Sequence, residues 1–288
     1  MSVSKEQQLW EASTSGNLDL VKRLANDPAI SLNWGDPDVD RTALYRACGH
    51  NRVAVVEFLL KHPKVDANKA VNGGATSFYV ACQQNHKEIV TMLLADLRVD
   101  VNKPKDEGAT PFFVSCQNGH QEVVSLLLAD TRIDANKPDN DQCTPLWMAS
   151  QKGHLPIVEL FLASGRDIET QTKSIAGPDA WNDKTAAEVA RFQETRTRDE
   201  GESEEGYNRM KQNVPLIAAL IDLYEQNPQQ VCVQLRQQLG IRGKTFFSLF
   251  YFRLYFTLLP SFPLRFFPSS TPEVNSGEPQ ATRQPPST

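Results

Sequence analysis

Three histidines, His86, His120 and His154, stand 34 residues apart in this chain of 288 residues. Histidine is the commonest metal ligand and a frequent general base, so a regular series of histidines raises the question of a metal site or of catalysis. None of the three adjoins a cluster of carboxylates or cysteines that would complete a ligand set or orient a base. The spacing therefore favours three equivalent structural hydrogen bonds, and we predict no metal site.

Cysteine is the next candidate for chemistry. Cys48, Cys82 and Cys116 repeat at the same 34-residue period, and the chain has five cysteines in all. An odd total and regular placement within an apolar pattern indicate small buried side chains rather than disulfides. Neither they nor the serines and threonines have an identifiable histidine and carboxylate to activate them, so no catalytic residue is predicted.

The string Gly243-Lys244-Thr245 imitates the end of a phosphate-binding loop. The glycine that such a loop requires five positions before Gly243 is replaced by Gln238, and no apolar strand leads into the string. We therefore predict no nucleotide site, no cofactor and no enzyme activity.

The elements that carry these residues repeat with the same period. Thr42, Thr76, Thr110 and Thr144 each open a similar segment, in which an apolar residue, an aromatic residue and later Ala or Ser follow. Threonine is a good helix N-cap, so each one predicts the start of a short helix. About nine residues later stand residue types that accept a left-handed backbone just past a helix end. These are Asn51, Asn85, Gly119 and Gly153.

A second helix and a loop complete each unit. Apolar residues at helical spacing, as from Val123 to Leu128, predict the second helix, and segments such as V-D-V-N-K-P-K-D-E-G from Val99 predict hairpin-like loops. This unit resembles the ankyrin repeat, whose T-P-L-H-x-A signature is matched in outline by T-P-F-F-V-S-C from Thr110 and T-P-L-W-M-A-S from Thr144. The resemblance implies an all-α ankyrin-repeat solenoid of stacked helix-turn-helix units joined by hairpin-like loops.

The pattern divides the chain into five predicted parts. They are 1–35, a degenerate N-terminal capping repeat; 36–170, four ankyrin repeats; 171–240, a degenerate C-terminal repeat with a charged insertion; 241–268, an aromatic-rich segment of open status; and 269–288, a disordered tail. The charged insertion, from Glu194 to Gln212, is predicted to be either a mobile loop or a helix extension.

By resemblance, ankyrin repeats bind other proteins through a concave face, which combines the loop tips with the exposed side of each first helix. Gln83, Gln117 and Gln151 lie seven residues after three of the threonines and form a polar ladder. The ladder either grips an extended peptide or a helix, or is merely solvated. The predicted tip residues are Asn72, Gly73, Asp106, Glu107, Asn140 and Asp141.

An aromatic residue stands three positions after each threonine, where the family usually places histidine. The four are Tyr45, Tyr79, Phe113 and Trp147. Exposed aromatics are enriched in binding hot spots, so Tyr79, Phe113 and Trp147 are candidate partner contacts. The alternative, which we favour, is that the column packs between the first helices and the loops.

Asn68, Asn102 and Asn136 each follow an aspartate by two positions and a leucine by eight. This resembles the pattern that asparaginyl hydroxylases recognise in ankyrin repeats, which would make the chain an enzyme substrate. Hydrogen bonding between neighbouring loops is the favoured alternative.

Residues 245–272 hold eight of the fourteen phenylalanines of the chain. Three alternatives remain open for this segment: a membrane anchor through 245–267, an aromatic segment that binds a membrane surface or a partner, and a wrongly predicted terminal exon. Arg253 and the prolines from Pro260 onwards disfavour one continuous spanning helix.

Composition bounds the remaining possibilities. The net charge of −5 does not favour a nucleic acid as partner, and Lys5 and Glu6 precede any apolar run, unlike a secretory signal. We expect a monomer in the cytoplasm, with the nucleus as the other compartment considered. The predicted function is a non-catalytic protein-interaction scaffold of unidentified partner, and the alternative is a membrane-tethered ankyrin adaptor.

Overall fold

The structure of the protein is a computed structural model that describes residues 3–175, 182–199 and 201–241. These residues belong to the first of two units, residues 1–242, and the second unit, residues 243–288, lies outside them. The predictions for the phosphate-loop-like string, for the segment 245–272 and for the tail 269–288 therefore lie outside the described residues.

Helices account for the regular structure of the described residues. Within these residues the β-structure is limited to one isolated bridge, between Gly35 and Thr42. The thirteen helices of this part of the chain are α1 Lys5–Ser15, α2 Leu18–Ala25, α3 Ala43–Gly49, α4 Val53–Leu60, α5 Ser77–Gln83, α6 Lys87–Ala95, α7 Pro111–Gln117, α8 Gln121–Ala129, α9 Pro145–Gln151, α10 Leu155–Ala163, α11 Ala186–Thr195, α12 Glu204–Gln226 and α13 Pro228–Gln238. None of these described helices is both long and apolar enough to cross a membrane.

The first helix of each central repeat begins where its threonine predicts. The side-chain oxygen of Thr42, Thr76, Thr110 and Thr144 accepts the backbone N–H three residues further on, each time at 3.1 Å. In α7 and α9 a proline follows the cap at the first helical position, where its missing N–H leaves no bond unmade. A cap of this kind contributes about 1 kcal/mol to helix stability.

The ends of the same helices also follow the sequence. Asn51, Asn85, Gly119 and Gly153 adopt φ angles of 56°, 59°, 77° and 71°, which confirms the predicted left-handed positions. The four first helices therefore span seven residues each.

The helices stack in two columns. First helices α1, α3, α5, α7, α9 and α11 each contact the next first helix, and second helices α2, α4, α6, α8, α10 and α12 do the same. The predicted apolar stripes of the second helices are buried, as Val123, Val124 and Leu127 of α8 show. Between successive units the rings of Phe112 and Phe161 lie 5.3 Å apart.

The C-terminal part of the stack differs from a simple repeat. Thr185 and Glu188 form a capping box at the start of α11, and α12 then runs for 23 residues from Glu204. The C-terminal half of the charged insertion is thus the first turns of α12, as the helix-extension alternative predicts. A third helix, α13, packs against α10 and α12, so this part contains three described helices.

Candidate functional site

The hairpin tips are aligned by backbone hydrogen bonds. The amide N–H of each tip donates to a carbonyl oxygen of the tip before it, at 2.8–3.0 Å. The donor and acceptor pairs, in chain order, are Asn72 and Val39, Asp106 and Gly73, Asn140 and Glu107, and Ile175 and Asp141. All six tip residues predicted from the sequence are exposed. The stack therefore brings these exposed residues together in one row whose backbone is held in place.

The ladder glutamines end the first helices α5, α7 and α9 and are half-exposed. Gln117 and Gln151 line one surface cavity of about 500 Å³. Gln83 lines a second cavity, of about 460 Å³. The structure thus places the ladder beside two recesses rather than on a flat surface.

The larger cavity also contains polar atoms without partners. It lies between the ends of α7 and α9 and the segment from α11 to α12. Gln193 is 3% exposed. Among the described residues, neither Oε1 of Gln193 nor Nε of Arg196 has a hydrogen-bond partner. The other nitrogens of Arg196 are held by Asp199 and Glu202. Both of these atoms are inaccessible to solvent, so neither is offered directly to a ligand in the cavity.

The aromatic column is part of the core. Tyr79, Phe113 and Trp147 are only 2–3% exposed, whereas Tyr45 is half-buried. The indole N–H of Trp147 donates to the carbonyl oxygen of Lys184 at 2.9 Å, which satisfies its polar atom within the stack. The partner-contact alternative is therefore wrong for Tyr79, Phe113 and Trp147, because the neighbouring repeats cover their rings.

The histidine series makes hydrogen bonds between repeats. Nε2 of each histidine lies 2.9–3.2 Å from a backbone carbonyl oxygen at the end of the preceding first helix, which confirms the predicted structural role. The pairs are His86 with Gly49, His120 with Gln83, and His154 with Gln117. Within the described residues, no group of three or more His, Cys, Asp or Glu side chains could hold a metal ion.

Other residue types take the place of histidine at the two ends of this series. Nε of Arg52 donates to the carbonyl oxygen of Thr14 at 2.8 Å, and Nδ2 of Asn213 donates to that of Gly153 at 2.9 Å. The hydrogen-bond ladder therefore runs from the first repeat into α12, beyond the histidines that the sequence shows.

All five cysteines lie in described residues and are free. Cys48, Cys82 and Cys116 are completely buried, and burial raises the pKa of each thiol. Burial likewise raises the pKa of Cys143, to about 12. Thiols held in this protonated form act as small apolar side chains and not as nucleophiles.

The asparagine series joins neighbouring loops. The side chain of Asn102 donates to the carbonyl oxygen of Arg132 at 2.7 Å and accepts the N–H of Asp134 at 2.9 Å. Asn68 and Asn136 make the same pair of bonds to the loops that follow them. These are the loop bonds that the favoured alternative predicts, and hydroxylation stays a prediction.

Arginines cap the second helices across the repeat boundary, a feature that we did not predict. A guanidinium nitrogen of Arg132 donates to the carbonyl oxygen of Leu94, at the end of α6, at 2.6 Å, while Asp130 holds the same guanidinium. Arg98 does the same for Leu60 at 2.5 Å. The signal in the sequence is the recurrence of D-L-R and D-T-R at the 34-residue period.

The helix pairs, the aligned tips and the ladders between repeats define an all-α repeat solenoid of the ankyrin class. The family model for ankyrin repeats matches this chain in three copies, over residues 9–105 and 95–172, which is more than half of its length. The chain therefore belongs to the ankyrin-repeat family. It is also similar in fold to the crystal structure of EF0377, an ankyrin repeat protein, with a TM-score of 0.58 and 22% identity over 74% of this chain and 98% of that one.

Proposed function

We propose that this chain is a non-catalytic scaffold that binds another protein through the concave face of its repeat stack. The family to which it belongs is in general one of protein-interaction modules. The observation that carries the proposal is the placement of all three ladder glutamines at surface cavities beside first-helix ends. Their half-exposed amides can donate and accept hydrogen bonds, as recognition of a polypeptide requires.

Rigidity supports the same function. The tip-to-tip backbone bonds and the bonds from histidine to carbonyl hold each unit in register with the next. A surface that is ordered before binding loses little conformational entropy when the partner arrives. The proposed contact set is therefore the six exposed tip residues together with Gln83, Gln117 and Gln151.

The test is affinity capture with the full chain, followed by calorimetric titration with each captured partner after purification. A triple variant replaces Gln83, Gln117 and Gln151 with Ala, and we expect it to lose at least one partner or to weaken its binding by about tenfold or more. The matched control removes three exposed glutamines of α13. They are Gln229, Gln237 and Gln238. An unchanged set of partners with unchanged affinities in the first variant would refute the proposal.

The compartment and assembly state belong to the same proposal, namely a monomer in the cytoplasm, with the nucleus as alternative. The alternative function, an adaptor tethered to a membrane, depends on residues 245–267, which lie outside the described residues. Flotation with membranes distinguishes the two functions. The tethered alternative requires the full chain to float, and a chain ending at Gly240 not to float.

A further inference from the structure

The smaller cavity, of about 460 Å³, lies where one repeat departs from the glutamine pattern. Gly49 ends α3 at the position, seven residues after the capping threonine, where the next three repeats carry Gln83, Gln117 and Gln151. Gly49 lines this recess together with Gln83 and Gln84, at the end of α5.

The lining of this recess is positively charged. Arg41, Arg46 and His50 line it, and no carboxylate does. Arg41 is already paired, with Asp36 at 2.9 Å and Asp38 at 4.0 Å. Within the described residues Arg46 forms no ion pair, although the nearby carboxylate of Asp36 partly offsets the lowering of its pKa.

The basic groups in the recess disfavour one another's protonated forms. Burial, and then the neighbouring Arg41, lower the pKa of Arg46. Burial, followed by Arg46 and Arg52, lowers the pKa of His50. A bound anion would relieve this repulsion, since an opposite charge at close range stabilises the charged form of each group.

The guanidinium of Arg46 is held in place by contacts with α1. It lies 4.5 Å from the centroid of the Trp10 ring, and its Nε donates to the side-chain oxygen of Thr14 at 3.1 Å. The Trp10 ring covers one face of the guanidinium, and Thr14 accepts the hydrogen bond from Nε. The two terminal nitrogens are therefore left for a ligand. A planar guanidinium fixed in this way suits bidentate binding of a carboxylate.

We propose that the recess beside Gly49 receives a glutamate or aspartate side chain of the partner protein, whose carboxylate pairs with Arg46. The inference rests on the proposed function as an interaction scaffold. One unpaired guanidinium matches the single charge of a carboxylate. A doubly charged phosphate would need a second free cation, and Arg41 is already engaged by Asp36 and Asp38.

The first experiment uses a small probe and the full chain. N-acetyl-glutamate methylamide is titrated against the isotope-labelled protein, and the NMR signal of the Arg46 Nε–H group is followed. We expect a saturable shift with a dissociation constant on the order of millimolar, and binding about tenfold weaker or less for the matched N-acetyl-glutamine methylamide. No shift at Arg46, or tighter binding of N-acetyl-phosphoserine methylamide, would overturn the proposal.

Two variants test the recess itself. Gly49→Gln restores the side chain that the other repeats carry, and Arg46→Gln removes the proposed ligand; both should weaken the glutamate probe by about tenfold or more. Gly49→Gln should fold normally, because a Cβ at this helical position meets only Val80, at 3.4 Å. Arg209→Gln, at an exposed arginine of α12, is the control and should leave the affinity unchanged.

The partner identified by the glutamine variants provides a second, independent measurement. Gly49→Gln should weaken its binding by about tenfold, while the midpoint of thermal unfolding stays at or above that of the parent chain. If the partner depends on the glutamines but binds Gly49→Gln as tightly as the parent chain, the carboxylate inference is wrong and the proposed function stands. If no partner depends on the glutamines, the proposed function itself fails.

Discussion

Replacing Trp147 with Ala tests whether the aromatic column is part of the core. The side chain is 2% exposed, and its indole N–H donates to the carbonyl oxygen of Lys184 at 2.9 Å. Truncating a buried tryptophan leaves a cavity and typically costs about 3–5 kcal/mol. We expect the free energy of unfolding to fall by that amount.

Two further variants divide this loss into its causes. Trp147→Phe keeps most of the apolar contact but leaves the carbonyl oxygen of Lys184 without its donor, so we expect a loss of about 1–3 kcal/mol. Tyr45→Ala removes the half-buried member of the same column and should cost clearly less than Trp147→Ala.

Urea denaturation of the full chain, followed by circular dichroism, measures these losses without relying on tryptophan fluorescence. Repeat proteins can unfold in segments, so hydrogen exchange should accompany it and should show the loss of protection centred on α9 and α11. A cost below about 1 kcal/mol for Trp147→Ala, together with loss of a binding partner, would refute the burial argument. The ring would then face the partner rather than the core.

Two further predictions concern the bonds between repeats. Arg132→Met removes the donor that caps Leu94 and should lower the free energy of unfolding by about 1–2 kcal/mol in urea titrations. Arg209→Met, at a more exposed arginine, should change it by less than about 0.5 kcal/mol. Equal effects of the two substitutions would contradict the capping role. His154, which is hydrogen-bonded to Gln117, has its pKa lowered by burial in the folded chain. In the unfolded chain the histidine keeps its ordinary pKa of about 6.5, so near and just below that pH the unfolded chain binds more protons than the folded chain. Stability should therefore fall as the pH drops through about 6.5, and less steeply in His154→Asn; identical pH dependence in the two proteins would contradict this.

Local chemistry explains which parts of the fold could be predicted from the sequence. A threonine cap such as Thr110 and a left-handed residue such as Gly119 act within a few residues of themselves. The start and the end of each first helix are therefore encoded beside the helix. The 34-residue spacing of such signals then indicates a repeat stack, because one unit cannot bury its apolar face alone.

Contacts between distant residues explain what could not be predicted. Arg132 meets Leu94, which lies 38 residues earlier, and Asn213 meets Gly153, which lies 60 residues earlier. Asn213 has no local signal for its partner, and the recurring D-L-R and D-T-R do not indicate which carbonyl oxygen each arginine caps, because the partners become neighbours only when the repeats stack. The packing of α13 could not be predicted for the same reason, since its contacts are with α10 and α12.

Residue type and order specify the class of fold, the bounds of the first helices and the structural role of the histidines, because helix capping and repeat spacing depend on them alone. Which members of each repeated column remain accessible depends on the tertiary structure. Trp147 is buried because the next unit covers it, whereas Gly49 lines an open recess beside the ends of α3 and α5. Accessibility is a property of the stacked neighbours, and the order of residues within one repeat does not contain it.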